Sequence, residues 1–222
     1  MEKMITIDQW LSDFFDREIV QVKVKAEDLA QIEELQKQGF VWVEGEIEFE
    51  LNLGEYAKFP EKTTACQIAT PQDIEALQLL FGSAFPNSRF RPPYFSIEEN
   101  QRLYQEWVTN AVKGSFDDLC LVKRNEEGEI QGGVTLRLKQ NQATIGLLAV
   151  APKFQRQGIA CELLNAAILW ASKNSAELLK ISTQTSNLKA IRLYQRLGAE
   201  VKAIYYWFYP RKYDDKLKFY LI

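Results

Sequence analysis

The sequence predicts an α/β fold in which a central, mixed but mostly antiparallel sheet is flanked by helices, with a smaller unit preceding it. Three observations carry this expectation. From about residue 64 onward, strand-like and helix-like patterns alternate. Two β runs are joined by the polar, glycine-containing link Asn125-Glu126-Glu127-Gly128. A nearly all-apolar run, Ala143 to Ala151, passes through Pro152 into a helical pattern, as expected of a strand buried on both faces.

Taken in order, Lys58-Phe59-Pro60-Glu61-Lys62-Thr63 carries a proline and flanking charges suited to a linker. It divides the chain into residues 1–62 and 63–222. Thr64 to Ala69 reads as a strand. Thr70-Pro71-Gln72-Asp73 then supplies a helix cap, a proline at the first helical position and an acidic residue three after the cap, so a helix follows over about 71–82. Pro86 to Pro93 holds three prolines and is a loop, because proline removes donors and restricts its predecessors. Ile97 to Lys113 spaces Leu103, Trp107 and Ala111 for one apolar helix face. The hairpin strands are Asp118 to Arg124 and Glu129 to Lys139.

Beyond Ala151, Ile159, Leu163, Ala166, Ala167 and Trp170 fall at helical spacing over Gly158 to Ser172. Leu179, Ile181 and Thr183 alternate as a strand. Asn187 to Arg196 makes a short helix ended by Gly198, and Val201 to Tyr209 is a long aromatic strand that could continue a sheet across a homodimer. Leu29 to Gly39 matches Leu188 to Gly198 in length, with Leu29/Leu188, Ile32/Ile191, Gln36/Gln195 and Gly39/Gly198 coinciding. The first unit is either a degenerate copy of the second or a chance likeness of two helix-turn-strand units. Asp28 and Leu35 stand where the second has Asn187 and Tyr194, which makes the N-terminal unit structural.

Composition narrows the function. With 222 residues, 46% hydrophobic, the chain can fill a sizeable core. A net charge of −3 gives no basic footprint for nucleic acid or an anionic membrane, and a small-molecule partner is expected. No signal peptide or membrane-length apolar run is evident, which predicts a cytoplasmic protein without membrane insertion. Cys66, Cys120 and Cys161 are widely separated in apolar surroundings and read as reduced core thiols. Histidine is absent, which removes the commonest metal ligand and general base, so no metal site is expected. Ser-His-Asp hydrolysis and Cys-His proteolysis are excluded.

Gln155-Arg156-Gln157-Gly158-Ile159-Ala160 lies between a buried strand and a helix, where unpaired backbone N–H groups and the helix dipole favour a pyrophosphate. Small residues at Gly158 and Ala160 allow close approach, and Arg156 adds charge. Asn187 and Tyr194 are nearly two helical turns apart and address one groove. A tyrosine is protonated at pH 7 and can serve as a general acid.

Leu147-Leu148-Ala149-Val150-Ala151-Pro152 with the Gln155 to Ala160 segment resembles motif A of the GNAT superfamily, and Asn187 to Ala199 resembles its motif B. The resemblance implies a GNAT fold with a partial GNAT-like N-terminal domain, acetyl-CoA as co-substrate, and N-acetyl transfer by direct amine attack. Backbone at Leu148, Ala149 and Val150 would bind the pantetheine arm and polarise the thioester carbonyl, Gln155 to Ala160 would hold the pyrophosphate, Asn187 would touch the cofactor, and Tyr194 would be the general acid. Alanine at 160 departs from the commoner glycine. Pro86 to Arg91, Trp107 to Phe116, Ile145 to Val150, Asn187 to Tyr194 and Tyr206 to Tyr209 are similar, more narrowly, to GNAT enzymes that N-acetylate dTDP-4-amino-4,6-dideoxy sugars. A nucleotide sugar needs cations for its diphosphate and an aromatic face for its base, and Arg89, Arg91 and Tyr94 could supply them. No motif places the base: Glu106, Asp117, Asp118 and water stay open.

Overall fold

A computed structural model describes residues 11, 14, 15, 19–56 and 65–211. The expected linker and boundary near residue 62 lie outside them. Among the described residues eight strands form one sheet in the order β1-β8-β2-β7-β6-β5-β4-β3. The strands are β1 (Val22–Lys25), β2 (Phe40–Asn52), β3 (Cys66–Ile68), β4 (Leu119–Arg124), β5 (Ile130–Lys139), β6 (Gln142–Val150), β7 (Leu178–Gln184) and β8 (Glu200–Pro210). The helices are α1 (Leu29–Lys37), α2 (Leu53–Tyr56), α3 (Ile74–Ala84), α4 (Ile97–Lys113), α5 (Ile159–Lys173) and α6 (Leu188–Arg196). Among the described strands only β6 and β7 pair in parallel, because α5 crosses between them; every other pairing is antiparallel.

Each face of the sheet carries a core. On one face α5 and α6 pack over the middle of the sheet, where Leu163, Leu164, Ala167, Ile145, Leu179, Ile181 and Tyr194 share a cluster. On the other, α3 and α4 bury Leu77, Phe81, Leu103, Trp107 and Val108 against Cys120, Val122, Leu147 and Ala149. Burying one such aliphatic side chain stabilises the fold by about 1.5–3 kcal/mol. The predicted helix after Thr70 begins as a 3-10 turn, Pro71–Asp73, before α3. There the Asp73 carboxylate accepts the Thr70 backbone N–H (2.8 Å) and the Arg124 guanidinium (2.5 Å), which ties the helix start to β4. Of the three cysteines read as core thiols, Cys120 is buried and Cys66 half-buried, whereas Cys161, in the first turn of α5, is exposed.

The N-terminal strands enter this same sheet: β2 lies between β7 and β8, and β1 adds to the far side of β8. The unit β1-α1-β2 repeats β7-α6-β8 at a constant spacing of 159 residues, from Asp28 and Asn187 to Gly39 and Gly198. Asp28 and Asn187 cap their helices alike, each side chain accepting a backbone N–H three residues on, from Gln31 and Ala190. Gly39 and Gly198 both stop their helix at φ +84° and +82°. Register agrees as well. The pairing β2–β8 maps onto itself about the pair Glu46↔Tyr205, bulges included, and β1–β8 maps onto β7–β2. The likeness between the helix-turn-strand units is therefore a pseudo-two-fold axis normal to the sheet, across which Leu35 packs near Phe208 and Tyr194 near Phe49.

Candidate active site

The loop after β6 is shaped by its own side chains. Pro152 opens a 3-10 turn, the Gln155 amide donates to the Val150 carbonyl (3.2 Å), and the Gln157 amide donates to that of Lys153 (3.2 Å). Arg156 and Gly158 both take left-handed backbone, at φ +66° and +85°. A Cβ at 158 would meet nothing within 4 Å, so glycine is required there by its φ and not by crowding. No side chain caps α5, a helix of fifteen residues. Its first-turn N–H groups, at Ile159, Ala160 and Cys161, have no intrahelical acceptor and open beside the exposed Gln155, Arg156, Gln157 and Gly158. This is a polar cradle with the positive end of a helix dipole, a fit for pyrophosphate.

Beside it the sheet splits. The β6–β7 ladder ends at Ile145↔Ile181, although β6 continues to Val150 and β7 to Gln184. Past that point Leu148, Ala149 and Val150 pair only with Val134, Gly133 and Gly132 of β5, while Ser182, Thr183 and Gln184 pair only with Glu48, Ile47 and Glu46 of β2. A cleft edged by strand backbone therefore opens in the middle of the sheet, at the N-terminus of α5. It offers main-chain donors and acceptors to an extended, amide-bearing chain.

Tyr194 reaches this region from α6, in one cluster with Leu148, Val150 and Ile159. It is 5% exposed, and its ring meets that of Phe49 edge-on at 5.6 Å. Burial drives its phenol well above the ordinary range, so the hydroxyl stays protonated at any working pH. Asn187 spends its side-chain oxygen on the Ala190 N–H (3.2 Å) as the cap of α6.

Arg89, Arg91 and Tyr94 lie across the sheet from Tyr194, with the α3–α4 core. The Arg89 guanidinium is stacked between the Phe90 ring (4.1 Å) and the Trp207 ring (3.7 Å) and donates to Gln21 and to the Tyr209 hydroxyl (2.9 Å). Arg91 donates to Glu44 (3.2 Å) and to the carbonyls of Asn87 (3.2 Å), Ser88 (2.8 Å) and Val43 (2.8 Å). Tyr94 packs on Tyr209, and burial raises its phenol against a lowering by Arg211. Both arginines thus carry load in the protein itself.

Several residues in this region were not singled out by sequence. Glu44, 5% exposed, accepts from Arg91, from the Gln184 amide (3.0 Å) and from the Gly45 N–H (3.0 Å), and Gln184 also donates to the Asn87 carbonyl (3.1 Å). These bonds bring the proline-rich loop to the end of β7, on the far wall of the cleft. A readable signal existed: Glu44, Glu46, Glu48 and Glu50 alternate along β2. Of the open candidates for a base, Asp118 accepts the Leu138 N–H (2.6 Å), Glu106 accepts from Asn110 (3.3 Å), and Asp117 is fully buried.

The chain resembles known proteins in sequence and in fold. The family model for Acetyltransferase (GNAT) family matches residues 75–199. The chain is 36% identical over 191 residues to the dTDP-fucosamine acetyltransferase of Escherichia coli, covering 86% of this chain and 80% of that one. It is 28% identical over 198 residues to the spore coat polysaccharide biosynthesis protein SpsD of Bacillus subtilis, covering 87% and 67%. The PaiA N-acetyltransferase of Thermoplasma acidophilum, solved in complex with coenzyme A, shares the fold at a TM-score of 0.54 and 18% identity, over 65% of this chain and 98% of that one. A split sheet beside an uncapped helix start, together with these matches, places the chain in the GNAT acetyltransferase family.

Proposed function

We propose that this GNAT acetyltransferase moves acetyl from acetyl-CoA to the 4-amino group of a dTDP-4-amino-4,6-dideoxy sugar. The observation that carries the reading is the 36% identity, over 86% of the chain, to an acetyltransferase of dTDP-fucosamine. Likeness to a spore coat polysaccharide biosynthesis protein supports a role in sugar metabolism.

Bound acetyl-CoA supplies the activated thioester. The chain's residues do the rest. The α5 N-terminus and the Gln155–Ala160 loop hold the pyrophosphate, and the backbone of Leu148, Ala149 and Val150 aligns the arm and donates to the carbonyl oxygen as it gains charge. The Asn187 amide nitrogen, left over from capping, turns to the cofactor. Tyr194, held neutral by burial, donates its proton to the departing sulfur. Water relays the proton lost by the amine to the Tyr194 oxygen as the C–N bond forms and the C–S bond breaks, which restores the phenol and lets no buried phenolate build up. Arg89, Arg91 and Tyr94 form the acceptor side, the arginines using guanidinium N–H groups beyond those already bonded.

The test is incubation with acetyl-CoA and a panel of amines, read by release of free thiol. Turnover on dTDP-4-amino sugars at a kcat/KM at least about 100-fold above peptides and polyamines is the expected result; the reverse order sinks the substrate assignment.

A further inference from the structure

We infer that Asp117 and Thr135 are positioning residues for acetyl transfer, holding a bulge in β6 that aims its last three residues into the cleft. The inference rests on the reading above that the β6 backbone handles the thioester.

Leu136 pairs with Ile145 and Val134 with Leu148, so Gly146 and Leu147 together face the single residue Thr135. An extra residue reverses which side chains meet which face. Before the bulge Ala143 and Ile145 join the α5 core; after it Leu147 and Ala149 join the α3–α4 core, and Leu148 and Val150 pack toward α5. The β6–β7 ladder also ends at Ile145, immediately before the bulge. One local irregularity thus coincides with both the opening of the cleft and the aim of the backbone lining it.

Side chains hold that irregularity. The Leu147 N–H donates to the Thr135 hydroxyl (2.9 Å), which donates to Asp117 Oδ2 (2.6 Å). The same oxygen accepts the Trp107 indole N–H (2.8 Å), so α4 is tied in. Gly146 is the only residue type that fits: a Cβ there would lie 2.7 Å from the Thr135 hydroxyl oxygen and closer still to Asp117. Asp117 is 0% exposed, and its Oδ1 accepts no hydrogen bond among the described residues; its nearest cation is Arg137, at 3.9 Å. Burial raises its carboxyl against the opposing bonds from Thr135 and Trp107. A core built for stability alone would not keep such a group, whereas a device fixing backbone aim has a use for it.

Thr135→Val keeps shape and removes the hydroxyl, Thr135→Ser restores it, and Asp117→Asn removes the charge. In Thr135→Val the Leu147 amide should exchange with deuterium about tenfold faster or more, Ala143 and Ile145 being unchanged. On the preferred amine its kcat should fall about 10- to 100-fold with KM for that amine within about threefold, and Thr135→Ser should recover most of it. Unchanged exchange at Leu147, or faster exchange with wild-type kcat, overturns the inference. If the wild-type enzyme acetylates no amine in the panel, the functional reading has failed separately. The inference is then judged by exchange and by acetyl-CoA affinity, which Thr135→Val should weaken and whose constancy would overturn it. Should Asp117→Asn not fold, the Thr135 pair decides alone.

Discussion

Tyr194 of α6 rests its ring edge-on against Phe49 of β2, with centroids 5.6 Å apart, so the proposed acid is braced by the N-terminal unit. The pseudo-two-fold places Leu35 near Phe208 in the matching position of the other unit, where the side chain packs and carries no hydroxyl. Tyr194→Phe keeps the ring contact and deletes the hydroxyl. We expect kcat to fall about 100-fold or more while acetyl-CoA affinity and melting temperature hold. Undiminished kcat, measured by thiol release, removes Tyr194 from the mechanism.

Gly158 holds φ +85° at the start of α5. Gly158→Ala should cost about 1 kcal/mol from backbone strain alone. Gly158→Glu adds a carboxylate where the pyrophosphate is proposed to sit, and calorimetry should show acetyl-CoA affinity down by at least about 100-fold. Equal affinities for the two variants would place the pyrophosphate elsewhere.

Arg89 is clamped between Phe90 and Trp207. Arg89→Ala should therefore destabilise the fold by about 2 kcal/mol in a denaturant titration, and Arg89→Lys should restore little of it, since an ammonium cannot reproduce the stacked, planar geometry. If it also binds the sugar nucleotide, KM for the acceptor rises in both variants at temperatures where both are folded. A stability loss with unchanged KM confines Arg89 to the framework.

Burial works to raise the Asp73 carboxyl, but the Thr70 N–H, the Arg124 guanidinium and the Thr70 hydroxyl prevail, and it lies below its ordinary value of 3.8. A lowered folded-state value means that the carboxylate stabilises above the unfolded-state pKa and ceases to do so as pH falls through the folded-state one. Asp73→Asn should lose about 1 kcal/mol at neutral pH, with the difference from wild type closing below pH ~4. A difference independent of pH between about 2 and 7 would show that the charge is not what matters.

Much of the fold was legible because its signals are local. Pattern period, the capping set at Thr70 to Asp73 and the turn at Asn125 to Gly128 each act within a few residues, and the observed elements fall within two or three residues of those expected. The Gln155–Ala160 loop and the position of Tyr194 on a short helix could be read because one stretch of chain builds each of them. Glu44 and Gln184 could not, because they join strands far apart in sequence; nor could the Asp117–Thr135–Leu147 chain, because it depends on the register between neighbouring strands and not on any pattern along one of them. Nor does periodicity reveal that β2 enters the sheet between β7 and β8.

What the sequence alone determined is the set of parts: an α/β chain with its strands and helices in order, a glycine-bearing loop that enters a helix after Pro152, and a short helix that begins at Asn187 and stops at Gly198. Tertiary structure decided how they meet. It seated β2 beside β7, where Phe49 meets Tyr194, turned Arg89 and Arg91 inward as ties, left Cys161 in solvent, and set a bulge in β6 where the β6–β7 ladder ends. The physical reason is that pairing register and the burial of charged groups are settled by partners distant along the chain, so no window of sequence contains them.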